Sequence, residues 1–166
     1  MIILGIDPGT ATTGYAILNV EGDDMDAIEF GLIETKKEET PEKRLHIIHA
    51  EMCDLFTRFT PDIMAIERIF FAANVTTAIR VGQAQGVMFL SAAAAGVPVI
   101  EYAPGSIKKL ISGDGRADKK MMQKALRKVF GAKIRSKAYK KTHFDNAADA
   151  LAVALCHVYS LENGKV

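Results

Sequence analysis

Two short apolar runs in this sequence each end on an acid: ILGID at 3–7 and IMAIE at 63–67. Runs this short, rich in β-formers and bounded by polar or turn residues, read as buried strands. A carboxylate at the end of a buried strand is costly unless it is paired or binds a cation. Strand ends in a parallel or mixed sheet are also where loops converge and sites are built. Two such strands side by side bring two carboxylates close together, where they raise one another's pKa or hold a metal. Taken singly, each acid reads as an ordinary strand-end acid; together they read as a site.

The remaining pattern says which sheet these strands belong to. Segments 14–20 and 27–35 read as further strands, separated by a polar turn at 21–26. With the first strand they form an antiparallel meander. Leu45, Ile48, Met52, Leu55, Phe56 and Phe59 recur at helical spacing, giving an amphipathic helix over about 42–59 that Pro61 stops. A strand at 62–67, a helix at 74–95 with Asn74 as its N-cap, and a strand at 97–102 follow. Alternating strands and helices make the later strands parallel. A short helix near 106–111, a glycine loop at 113–115, a helix at 118–130 and a last helix at 144–161 complete the chain. The expected fold is α/β: a mixed five-stranded sheet, antiparallel meander plus two parallel strands, flanked by helices. At 166 residues it is expected to be one domain over 1–166.

The formal net charge of +1 hides a strong polarity. Residues 105–141 hold thirteen Lys or Arg against Asp114 and Asp118, a local charge of +11; the other residues hold eight against eighteen acids, or −10. Such asymmetry points to a polyanion-binding face or to a solvated lysine-rich helix. Cys53 and Cys156 sit in apolar helical patterns and read as buried free thiols of a reducing cytosol. The uncharged stretch 81–100 has transmembrane length, but its glutamines, glycines and Pro98 make it the end of a buried helix followed by a strand. No leader peptide and no membrane partner are expected.

The last helix adds Asp145, Asn146 and Asp149. Asp145 and Asp149 are four residues apart, and Asn146 and Asp149 three, so either pair shares a face. Small alanines around them let the helix approach a sheet closely. The alternative is that these acids serve the helix dipole. Asp7, Glu67 and the helix acids make an oxygen-only donor set, which suits Mg2+ or Mn2+. Two such ions activate water and stabilise a leaving oxygen in phosphodiester hydrolysis. Beside a basic segment, that suggests a metal-dependent nuclease.

Four stretches carry a family resemblance: GIDPGTATTGYAI at 5–17, AIERIFFAANVTTAIRVGQAQGV at 65–87, GDGRADK at 113–119 and AADALAVALCH at 147–157. Together they resemble the RuvC family, bacterial Holliday-junction resolvases with a ribonuclease-H-like fold, over nearly the whole chain. The resemblance implies a cytoplasmic homodimer that binds four-way junction DNA, works beside a branch-migration motor complex, and cuts two opposed strands symmetrically in recombination and repair. The family's carboxylates carry over to Asp7, Glu67 and Asp149, with Asp145 and Asn146 as further candidate ligands of two Mg2+ ions, or Mn2+. Lys119 would sit near the scissile phosphate. Lys108, Lys109, Arg116, Lys120 and Lys124 would contact DNA. Phe70 matches a base-stacking aromatic and Phe71 adjoins it, although two loop phenylalanines are otherwise ordinary core. Gly82 and Gly86, four residues apart in a helix, allow close approach, either of a second subunit, as in the family, or within one subunit.

One position departs from the family. An acid, sometimes a histidine, usually stands three residues before the last Asp; here that residue is Asn146. Asp145 takes over the ligand role, or His143 substitutes, or the chain is an inactivated Asp-to-Asn variant that binds substrate uncut. A catalytically weak ribonuclease-H-like binding module is therefore one competing reading. An RNA-end-processing nuclease of the same fold is a second. A sugar-kinase or actin-like ATP-binding domain is a third, with GIDPGTATTGYAI as phosphate hairpin, but it lacks the second lobe and its motifs.

Overall fold

A computed structural model of the chain describes residues 1–69, 75–131 and 141–164; at 75 and 141–146 the description covers the backbone only. Its five strands are β1 (Ile2–Asp7), β2 (Thr12–Glu21), β3 (Asp24–Glu34), β4 (Ile63–Glu67) and β5 (Val99–Tyr102). The described helices are α1 (Pro41–Phe59), α2 (Val75–Ala94), α3 (Pro104–Ser112), α4 (Lys119–Phe130) and α5 (Lys141–Glu162). The sheet order is β3-β2-β1-β4-β5. β2 is antiparallel to β1 and β3, whereas β4 is parallel to β1 and β5. This is the expected mixed sheet, and it puts the two acid-tipped strands side by side at its centre.

Direction and parity then place the acids. β1, β3, β4 and β5 all run the same way, so their C-terminal ends share one edge of the sheet. Strand side chains alternate between faces. Leu4 and Ile6 belong to the core under α1 and α2, and Ile3 to the core under α5. Asp7 therefore shares the α5 face with Ile3. By the same parity Glu67 follows Ala65, which packs under α5.

The two sheet faces are built differently. Under α1 and α2 the packing is bulky: Ile48, Met52, Leu55 and Phe56 of α1 and Met88 of α2 meet Leu4, Ile17, Met64 and Ile66. Each such fully buried side chain contributes about 1.5–3 kcal/mol. On the other face α5 presents Ala147, Ala148, Ala150 and Ala154, all buried. A Cβ on Gly5 would lie 2.8 Å from the Ala154 Cβ and would strike the Ala150 carbonyl. Only glycine at position 5 lets the helix cross β1 this closely.

Several boundaries move for local reasons. α1 ends at Phe59, with Thr60 in the left-handed region at φ 43°, so the stop falls one residue before Pro61. β2 and β3 extend to a two-residue turn in which Gly22 takes φ 60°, the conformation that tight hairpin turns require. A register shift between Ile17 and Leu18 explains why 27–35 alternates imperfectly. β5 starts at Val99, just after Pro98. Asn74 lies outside the described residues. The buried helix end expected within 81–100 is buried on one face of α2 only: Ala84, Met88 and Ala92 are buried, but Ile79 and Leu90 are exposed. Its small residues lower the cost of an uncovered face. Among the described residues no helix is long and apolar enough to cross a membrane.

Candidate active site

Asp7, the last residue of β1, is held by its own loop. A Cβ on Gly9 would strike the Thr12 carbonyl, so this turn requires glycine. The buried Thr13 hydroxyl donates to the Gly9 carbonyl at 2.6 Å. The Thr35 hydroxyl donates to the Thr10 carbonyl at 2.5 Å, and the Thr35 N–H to the Ala11 carbonyl at 3.0 Å. These bonds tie the segment after Asp7 to the end of β3. The resemblance marked this Gly-Thr-rich stretch, but the locking threonines were not foreseen; their signal was hydroxyls flanking a glycine turn.

Asp7 and Glu67 meet as a hydrogen-bonded acid pair. Burial pushes the Asp7 carboxyl up from 3.8 to about 7, reinforced by the Glu67 charge and hydrogen bond; Lys119 pulls it back. Burial also raises Glu67, and the Asp149 charge adds to that, while the hydrogen bond with Asp7 and the Lys108 charge lower it. Burial thus raises both carboxyls, and the two share a hydrogen bond.

An open cleft beside this pair is lined by Glu67, Lys108, Lys119, Asp149, Met122 and neighbouring apolar residues. Lys119 Nζ lies 3.9 Å from Asp149 Oδ2, a loose contact with both side chains about half exposed. Asp118 caps α4 by accepting from the Met121 N–H at 2.8 Å. Lys119 and Lys120 therefore occupy the first turn of α4, where a cation opposes the helix dipole. That cost is offset when an anion sits there, because free N–H groups and lysines then act together.

The fold thus gathers Asp7, Glu67, Asp149, Lys108 and Lys119 from five elements. The other expected residues fall elsewhere. Lys109 borders a separate cleft with Tyr102, Ser106 and Ser160. Arg116 is exposed in the α3–α4 connection. Lys120 and Lys124 are exposed on α4, opposite the buried Met122, Leu126 and Phe130. Phe70 and Phe71 lie outside the described residues, as do the side chains of His143, Asp145 and Asn146. Behind the site, the Tyr102 hydroxyl and His157 Nδ1 lie 2.7 Å apart in a buried contact that fastens α5 to β5.

Among the described residues no three His, Cys, Asp or Glu side chains form a ready metal shell. The donor chemistry nonetheless suits a divalent cation. Hard carboxylate oxygens face one another, and burial raises both carboxyls where, among the described residues, no cation sits between them.

A mixed sheet of this order, with acids ending its two central strands and an acid-bearing helix across them, defines a ribonuclease-H-like fold of the resolvase type. The family model described as crossover junction endodeoxyribonuclease RuvC matches residues 3–157, and the chain belongs to that family. It is 42% identical over 160 residues to the crossover junction endodeoxyribonuclease RuvC of Syntrophomonas wolfei, covering 96% of this chain and 90% of the relative. The Thermotoga maritima protein of the same name is 44% identical over 155 residues, covering 93% and 89%. A solved structure of Thermus thermophilus RuvC in complex with a Holliday junction substrate superposes with a TM-score of 0.88 at 31% identity, covering 99% of this chain and 97% of that one.

Proposed function

We infer that this chain is a Holliday-junction resolvase, an endonuclease that hydrolyses phosphodiester bonds in four-way DNA junctions. The observation that carries the reading is the Asp7–Glu67 acid pair at the ends of adjacent parallel strands, set beside Lys108 and Lys119 in a chain of the RuvC family. Asp7, Glu67 and Asp149 would hold the divalent cations, with Asp145 or Asn146 as a further ligand. The chemistry that such cations, two Mg2+ or Mn2+ ions, would supply there is an activated water and a stabilised leaving 3′-oxygen. Lys119, at the first turn of α4, offsets charge developing on the scissile phosphate. Lys108 holds the same phosphate from α3. Lys109, Arg116, Lys120 and Lys124 follow the backbone, and Phe70 with Phe71 stacks at the branch point.

A second copy of the chain would cover the open face of α2. A Cβ on Gly82 or Gly86 would meet nothing within 4 Å, so these glycines serve no packing within one subunit among the described residues. Ile79 and Leu90 flank them, 57% and 64% exposed. A two-fold dimer matches a two-fold substrate and would give symmetric cuts leaving 5′-phosphates. Work beside a branch-migration motor in the cytoplasm belongs to the same reading and rests on the family resemblance.

The test is cleavage of a synthetic four-way junction against a matched linear duplex, with Mg2+ or Mn2+, alongside binding. Paired cuts in the junction alone are expected. Equal cleavage of the linear duplex overturns the reading, and tight binding without cleavage makes the chain a binding module. Asn146→Asp is then expected to raise activity if the amide is what silences it.

A further inference from the structure

The acidic part of the chain has only eight Lys or Arg residues, and their placement is uneven. Arg58, near the end of α1, is neutralised by Glu29 and Asp54. Three others, Lys37, Arg44 and Arg80, line a single cleft. They come from three separate segments: the β3–α1 connection, the first turns of α1, and α2. Thr10, Glu39 and Gln83 complete its rim. The chain leaves β3 for α1, and β4 for α2, at the same sheet edge where Asp7 and Glu67 sit. The cleft therefore opens at the acid-bearing edge, on the α1–α2 face, with the Asp7 loop between it and the acid pair.

Arg44 is built into place. Its Nε donates to the Thr35 hydroxyl at 2.8 Å, and that hydroxyl donates onward to the Thr10 carbonyl. Among the described residues its two Nη nitrogens have no protein acceptor, so the flat end of the guanidinium stays available to a planar or tetrahedral oxyanion. Lys37 and Arg80 are exposed and add charge from either side. Glu39 opposes them. Lys43 holds its Oε1 at 3.2 Å, while its Oε2 is shielded and has no hydrogen-bond donor. The cleft still carries a clear positive excess in a region whose background is acidic.

We propose that this cleft is a second phosphate-binding subsite, which grips the backbone of a junction arm on the side of the Asp7 loop away from Lys108 and Lys119. It rests on the resolvase reading and extends it: the arm is held from both faces of the sheet edge, so the DNA strand is fixed on either side of the acid pair. The chemistry recognised is a phosphodiester oxyanion. A free phosphate is the other source of the same chemistry, and the experiment separates the two.

Junction binding is measured without divalent cations, across a salt series, for the wild type, the Lys37→Ala/Arg80→Ala double variant, and Glu39→Gln. The double variant is expected to bind about tenfold more weakly and to lose about one unit of the slope of log affinity against log salt, the signature of one lost phosphate contact. Glu39→Gln, which removes the opposing charge, is expected to tighten binding. If the wild type binds junctions and both variants share its affinity and slope, the subsite is overturned while the resolvase reading stands. If the wild type does not bind junctions at all, it is the resolvase reading that fails. Two further outcomes overturn the subsite. One is stabilisation of the wild type, but not the double variant, by inorganic phosphate with junction binding unchanged. The other is a change in oligomeric state of the double variant, which would make the cleft a subunit contact.

Discussion

Carboxylates are treated in opposite ways at two places in this molecule. Toward the C-terminal end of α1, Glu29 and Asp54 converge on one cation: Arg58 reaches them at 2.8 and 3.0 Å and lies over the Phe59 ring at 4.7 Å. At the edge where β1 and β4 end, Asp7 and Glu67 converge on each other, and the nearest cations stand off, with Lys119 no closer than 3.9 Å to Asp149. The first arrangement holds a guanidinium between its two acids. Among the described residues the second has no cation between its acids, and burial raises both carboxyls. A fold that sets a cation between acids in one place and turns acids on each other in another is reserving the second place for something it binds.

The largest break in that comparison comes from the acid pair. Asp7→Asn or Glu67→Gln should cut metal-dependent junction cleavage by at least about a hundredfold. Neither should unfold the chain, because an amide keeps a hydrogen bond across the pair. Cleavage rates measured beside circular dichroism check both halves. Near-wild-type cleavage by either variant would remove the pair from the chemistry.

The second effect is on stability and has a definite sign. Asp7 titrates near 7 when folded and near 3.8 when unfolded. Below both values the folded and unfolded chains bind this proton equally. As the pH rises from about 4 to 7 the unfolded chain loses it first, so the stabilisation that Asp7 gives in its protonated form is lost through that window. The metal-free protein should therefore melt at a lower temperature at pH 8 than at pH 5. That difference should shrink in Asp7→Asn, which isolates the residue from other titrating groups. Added Mg2+ should raise the wild-type melting temperature more at pH 8 than at pH 5, because at low pH it competes with the proton.

Why some of this was legible in the sequence, and some not, follows from range. The apolar runs ending in Asp7 and Glu67 are local signals, and strand parity and direction turned them into neighbours. The spacing of Leu45 to Phe59 gave α1 to within a residue. Three features depend on contacts between distant segments: the Thr35–Thr10 bond, the gathering of Lys37, Arg44 and Arg80, and the open face of α2. No local pattern encodes them. A helix rich in glycine and alanine reads as buried whichever chain covers it. Position 5 lies between: a glycine inside a strand signals close approach, but only the fold shows that the approaching element is α5.

That glycine carries the third prediction. Gly5→Ala places a methyl group against Ala154 and the Ala150 carbonyl, so α5 must shift away from β1. Overpacking of this kind costs about 1–3 kcal/mol. Because Asp149 rides on α5 one residue before Ala150, cleavage should fall together with stability. Thermal melting and cleavage on the same preparation test this, and a variant with wild-type stability would show that the helix has more room than its contacts indicate.

The smallest effect belongs to the Arg58 region, and it is the control that gives the comparison its meaning. Arg58→Met removes the charge facing Glu29 and Asp54 but leaves an unbranched apolar stem to lie over Phe59. Exposed ion pairs contribute little, because water screens them and ordering long side chains opposes them. The melting temperature should change by no more than about 2 °C, and the difference should fade at high salt. Junction cleavage should not change. Two regions with similar acids would then respond differently to loss of charge: at Arg58 a slight, salt-sensitive loss of stability and no loss of function, at Asp7 a loss of function with little loss of fold. A large, salt-insensitive destabilisation by Arg58→Met would mean that the Arg58 cluster also stores electrostatic free energy, and carboxylates turned on each other would no longer be what sets the β1–β4 edge apart.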